Sequence, residues 1–194
     1  VQEAFARADI ELTYQATSPG RGLYGSLTGE FDGYFATPDL QGTALAALVR
    51  VPEVIHAGKS GGVYLREDIT MMDKEYLKPY RVGYVKGWKQ VKDMLKDVPD
   101  LYAAESSSHL LEMLVRDRVD VAYMFFLQAR YQAQRQEVSG LKFSDHTFVT
   151  ELFIHLSPEH ADLADDLAAA IRSMKADGTL EDIMAPAMMK WGAK

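Results

Sequence analysis

Apolar and polar positions alternate along IELTYQAT (10–17). Ile10, Leu12, Tyr14 and Ala16 share one face, and a period of two predicts a strand. VQEAFARAD (1–9), just before it, reads as helix. PGRGLYGSLTGE (19–30) opens on proline and predicts a short helix, and FDGYFAT (31–37) a second strand. Residues 39–50 read as helical or irregular and VPEVIHA (51–57) as extended. GKSGG (58–62) reads as a glycine-rich break, with strands at GVYLRED (62–68) and RVGYVKG (81–87).

Helical periods then take over between strands. In WKQVKDMLKDV (88–98), Val91, Met94, Leu95 and Val98 fall on one stripe. LYAAE (101–105) predicts a strand, and SSSHLLEMLVRDR (106–118) a helix whose leading serines can cap it. VDVAYMFF (119–126) is a buried strand, FLQARYQAQRQE (126–137) a helix and FVTELFIHL (148–156) extended chain. Ser157 and Pro158 open a helix with the stripe Leu163, Leu167, Ile171 and Met174. Gly178 can close that helix in the left-handed conformation. Thr179 can cap a final short one, with Glu181 and Asp182 in its first turn. Strands alternating with helices predict an α/β fold with largely parallel sheets. The early glycine break and the closing helix pair suit two lobes, with the C-terminal segment returning to the first.

Composition narrows the function classes. With 47% hydrophobic and 25% charged residues, the 194-residue chain is an ordinary globular protein. A net charge of −7 counts against nucleic acid as a partner. There is no cysteine, so the fold needs no disulfide and the compartment stays open. No apolar run reaches membrane-span length, so no membrane insertion is expected. No signal peptide is visible, and Val1 reads as a mature or trimmed start.

Motifs for catalysis are sparse. The histidines at 56, 109, 146, 155 and 160 lack metal-ligand spacing, and no G-x-S-x-G is present. No metal, cofactor or catalytic residue is expected. GRGLYG (20–25) matches a dinucleotide-binding glycine pattern, but the next strand follows too soon for a crossover helix. GKS (58–60) has Glu53 where a P-loop needs its first glycine.

One cluster does suggest binding. Residues 78–96 hold Lys78, Arg81, Lys86, Lys89, Lys92 and Lys96 against Asp93 alone. Lys86 and Lys89 flank a glycine turn that opens a helix, where backbone N–H groups and the helix dipole favour an anion. A solvated basic face is the plainer alternative. Trp88, Tyr123 and Phe125 could stack on a ligand or simply pack in the core.

The order of motifs resembles the type-2 periplasmic solute-binding proteins, the extracellular family-3 group that serves ABC importers. LTGEFDGYFA (27–36), GKSGGVYLRED (58–68), YLKPYRVGYVKGWKQV (76–91), HLLEMLVRDRVDVAY (109–123) and HLSPEHADLADDLAAAIRSMKADGTLEDIM (155–184) look like that family's segments in sequence. The resemblance runs from residue 10 onward and lacks the family's first strand. It implies a two-lobe α/β fold with a mostly parallel sheet in each lobe. Lobe one would be 1–57 and 153–194, lobe two 62–147, and the hinge would lie near 58–62 and 148–152. Ligand would bind between the lobes. The matching contact positions are Thr37 in the first lobe and Lys86, Gly87, Trp88, Lys89, Tyr123 and Phe125 in the second. TPDLQGT has no arginine to clamp a carboxylate, and AYMFF no aspartate to accept an ammonium, which weakens the match to an α-amino-acid ligand.

The expected function is capture of a small polar solute, anionic if the two lysines touch it, for a membrane permease. The alternatives are the sensor domain of a signalling receptor, the effector domain of a LysR-type regulator, or an enzyme on the same fold. For an enzyme, Glu105 and Glu151 are the carboxylates to test.

Overall fold

The computed structural model describes residues 1–69 and 74–191, with backbone alone at 74, 89 and 90. The helices are α1 (Gln2–Arg7), α2 (Pro19–Leu27), α3 (Lys89–Met94), α4 (Ser107–Val115), α5 (Phe126–Arg135), α6 (Ala164–Ala176) and α7 (Thr179–Trp191). The strands are β1 (Gly33–Thr37), β2 (Val49–Arg50), β3 (His56–Tyr64), β4 (Val82–Val85), β5 (Leu101–Ala104), β6 (Val121–Phe125), β7 (Lys142–Phe143) and β8 (Phe148–Leu156). The chain folds as two compact units. One is Val1–Ala57 with Thr150–Ala187, the other Gly58–Val149 with Met188–Lys194.

In the first unit, β1 and β2 both pair antiparallel with β8, Gly33 and Val49 each lying opposite Leu156. The parallel pairing expected from the sequence is thus confined to the second unit among the described strands. Ile154 and Leu156 of β8, Leu167, Ile171 and Met174 of α6, and Ala4 and Phe5 of α1 make one core. His155 alternates with these apolar residues. It is 1% exposed, and neither ring nitrogen has a hydrogen-bond partner. Burial pushes its pKa down to about 4, with Asp39 opposing and Arg50 adding to the shift.

The segment 10–17 is not a strand. Ile10 and Leu12 still pack against the core, but Tyr14 is 65% exposed. A strand needs a neighbour for its backbone groups, and no described strand pairs with this one.

The Gly178 corner is real, and its fastening is not the one expected. Gly178 adopts φ +81°, open to glycine at little cost. Thr179 is the first helical residue rather than the cap, and its N–H donates to the Asp177 carboxylate at 3.0 Å. Arg7 ties the corner to α1. Its Nη1 donates to Asp177 (2.6 Å) and Ser173 (3.0 Å), and its Nη2 to the Thr179 hydroxyl (2.8 Å). The Thr179 hydroxyl and N–H, then Arg7, hold the Asp177 carboxyl down at about 2. The helix beyond is longer than expected, with 13 residues and Pro186 inside it.

In the second unit, β6 lies between β3 and β4, with β5 outside β4. β4 runs parallel to both β5 and β6, whereas β3 is antiparallel to β6 and to β7. Val82, Tyr84, Val121 and Tyr123 face Leu95 and Val98, which follow α3. Ala122 and Met124 face Leu110 and Leu111 of α4 and Ala129 of α5. The alternation along β6 therefore buries both of its faces, which explains the near-continuous apolar run.

GKSGG is the middle of β3, not a break. The absent side chains make room for aromatic rings. A Cβ at Gly58 would lie 2.8 Å from Phe125, and one at Gly61 2.8 Å from Phe126 and 2.6 Å from the Ser144 hydroxyl. At the start of β6, Asp120 is 6% exposed and receives Arg81 Nε (3.0 Å), Arg81 N (2.9 Å) and Arg66 Nη1 (2.8 Å). These bonds, Arg81 foremost, hold its carboxyl down at about 2.

Candidate functional site

The parallel strands of the second unit set where a ligand can bind. The chain leaves β4, covers one face with α3, and enters β5. It then covers the other face with α4, crosses to the far side of β4, and enters β6. The order β5-β4-β6 therefore reverses direction between β4 and β6. In open α/β sheets a crevice forms outside the carboxyl ends of the strands at such a point. Here the two strand ends lead into residues 86–88 and into Phe125.

Backbone hydrogen bonds fix the local chain at this point. Lys86 N–H donates to the Ala104 carbonyl (2.8 Å), which continues the β4–β5 ladder by one residue. Gly87 then turns the chain at φ +94°, and Trp88 N–H closes the turn on the Val85 carbonyl (3.2 Å). A side chain at position 87 would be strained in that conformation. The turn aims the Trp88 ring at Phe125, edge to face at 5.2 Å. The rest of the Trp88 side chain packs on the α4–α5 core.

Lys86, Gly87, Trp88 and Phe125 are thus brought together at the ends of β4 and β6. Lys86 is exposed and bonds Glu105, also exposed, at 3.2 Å. Glu105 follows β5, so all three parallel strands contribute. The Lys89 side chain lies outside the described residues, and its backbone begins α3.

Tyr123 belongs elsewhere. It is 3% exposed, packs in the core beneath α3, and its hydroxyl meets Met94 Sδ at 3.7 Å. Burial pushes the phenol up to about 12. Its place is the core under the site, the plainer alternative weighed for it from the sequence. Thr37 ends β1 in the first unit, 6% exposed. Ala36 before it takes φ +59°, a conformation that costs a residue with a Cβ, where the β1–β8 register shifts between Phe35 and Thr37.

The serines at 106–108 are occupied structurally. Ser106 Oγ accepts from His109 N–H (3.1 Å) as the α4 cap, Ser107 is buried, and Ser108 accepts from Gln136 (3.0 Å). Glu151 is exposed on β8. Among the described residues no group of His, Asp and Glu could hold a metal ion. What sequence reasoning missed is the Glu105 partner of Lys86. An acid directly after a strand parallel to β4 was the available signal.

No family model and no curated protein matches the chain. Solved structures do. A histidine kinase sensor domain with similarity to periplasmic binding proteins superimposes with a TM-score of 0.84 at 12% identity, over 98% of this chain and 82% of that one. An amino acid ABC transporter substrate-binding protein from Streptococcus pneumoniae, bound to L-arginine, gives 0.79 at 17% identity over 100% and 83%. An arginine periplasmic binding protein from Legionella pneumophila gives 0.79 at 16% over 96% and 85%. The agreement spans nearly the whole chain, which therefore carries the type-2 periplasmic-binding-protein fold.

Proposed function

We propose that the protein is a non-catalytic, extracytoplasmic solute-binding protein that delivers a small polar solute to an ABC-type permease. The observation that carries this reading is the cluster at the topological switch point: a glycine turn, the Trp88–Phe125 pair and Lys86 at the ends of two parallel strands. Rings there can pack against an apolar part of the solute, while Lys86 offers positive charge. The named neighbours from S. pneumoniae and L. pneumophila are transport binding proteins, and the solute class here is taken to be similar in size. A solute carrying a carboxylate fits the lysine. Thr37 is assigned a contact from the first unit, and the chain crossings near 58–62 and 148–152 are assigned the hinge. Lobe closure on the solute would shift an existing equilibrium, as two-state binding requires.

The test is native mass spectrometry of the purified protein, followed by thermal shift against amino acids and small carboxylates. A stabilising solute whose effect is lost in Trp88→Ala supports the reading. A panel in which every stabilising solute acts on Trp88→Ala as well as on the parent removes it.

A specific observation favours a second reading. The sensor-domain neighbour fits with a TM-score of 0.84, so a ligand-sensing role in a receptor uses the same site with a different output. Co-purification with a permease or with a membrane kinase separates the two. An enzyme is less well supported, since Glu105 and Glu151 are both exposed and neither is enclosed with a second carboxylate.

A further inference from the structure

A cavity lies within the second unit, built by α5, the chain that follows it, and the last turn of α7. Its volume is about 390 Å³. The floor is apolar, formed by Val138, Leu141 and Phe143, with the Trp191 ring at one side. Trp191 is fixed in place. Its Nε1 donates to Gln134 Oε1 at 2.6 Å, and its ring meets Tyr131 edge to face at 5.2 Å.

Two cations line this cavity, Arg130 and Lys190, and no carboxylate among the described residues does. Arg130 is half-buried and has no acidic partner among the described residues. Burial alone lowers its pKa, with nothing opposing it. One face of its guanidinium lies over Phe143, 4.1 Å from the ring centroid. Its single hydrogen bond among the described residues is a long one, from Nη1 to the Trp191 carbonyl at 3.4 Å. The planar fork is therefore held by stacking while most of its edge donors remain unused, the geometry that suits a carboxylate bound through two parallel bonds. Lys190 sits over Trp191 at 4.7 Å and adds charge at the rim. In a chain of net charge −7, a concave apolar patch with two cations and no acid is charge-complementary to one ligand class.

We infer that this cavity is a second ligand site, separate from the strand-end cluster, and that it takes a small free carboxylate with an apolar, preferably aromatic, body. The body covers Val138, Leu141 and the Trp191 ring, and the carboxylate pairs with Arg130. A ligand of about ten heavy atoms in so open a site binds with a dissociation constant near a millimolar.

The probe is phenylacetate, titrated by calorimetry, with neutral phenylacetamide as the control. Saturable phenylacetate binding that weakens about tenfold in Arg130→Gln and in the amide supports the site. Lys190→Gln, an exposed position, is expected to weaken binding by about threefold, and it keeps the test valid if Arg130→Gln folds poorly. Phenylacetamide binding as tightly as phenylacetate overturns the role of Arg130, and no saturation at about ten millimolar overturns the site. Trp88→Ala separates the two candidate sites. Binding of phenylacetate that persists in Trp88→Ala belongs to the α5–α7 cavity, whereas loss in that variant alone assigns the ligand to the strand-end cluster and overturns this inference.

Discussion

His155 is an imidazole enclosed by β-strand neighbours with nothing for its nitrogens to bond. Charging it in place means desolvating a cation, so the folded state resists the proton down to about pH 4, while the unfolded chain accepts it near 6.5. With the folded pKa depressed, the stability from this group is fully present above about pH 6.5 and is lost as the pH falls to about 4. The loss is at most about 3 kcal/mol. His155→Leu, which removes no hydrogen bond, should flatten the urea midpoint across that window and leave it nearly unchanged at pH 7.5. Gly61 makes an equally local point. Alanine there would press on the Ser144 hydroxyl and on the Phe126 ring, at a cost of about 1–3 kcal/mol by chemical denaturation.

Elements were legible where their own sequence decides them. The α6 stripe, the Ser106 cap, the buried run of β6 and the Gly178 corner depend on periodicity or on local hydrogen bonds, and all appear. Residues 10–17 and 58–62 misled for one shared reason: a strand is defined by what lies beside it. The first has the alternation and no partner. The second has the wrong residues for a strand, yet finds partners, because two phenylalanines need the space its glycines leave. The candidate site divides along the same line. Lys86, Gly87, Trp88 and Phe125 follow from strand ends, whereas the inward turn of Tyr123 depends on α3 packing over it. The fastening of α7 could not be seen locally either, since Arg7 is 170 positions from Asp177. Arg7→Ala should lower the melting temperature and speed amide exchange in α1 and the first turn of α7, with little change in β4–β6. Uniform exchange across both units would contradict this.

At the scale of the molecule, acid should act in two stages. His155 takes up its proton between about pH 6.5 and 4. Asp120, which Arg81 and Arg66 hold ionised, loses its contribution between its unfolded value of 3.8 and about 2. The two groups lie in different units. Asp120→Asn should cost about 2 kcal/mol at neutral pH, because two arginines lose their shared charge partner. It should also shrink the lower stage, to which Asp177 contributes as well, while leaving the upper one intact, measurable as stability against pH from 7 to 2.

The second unit's five strands and three helices are contiguous apart from its last residues, whereas the first unit is split across the chain, with β8 and α6 arriving more than ninety positions after β2. A ribosome therefore completes the contiguous part of the second unit before it reaches α6. Residues 1–57 emerge before that part and must wait, without β8 to pair β1 or α6 to cover α1, until translation passes residue 176. Residues 1–57 thus precede the elements that cover them, and during synthesis their exposed Phe5 and Val51 are the surfaces a chaperone would meet.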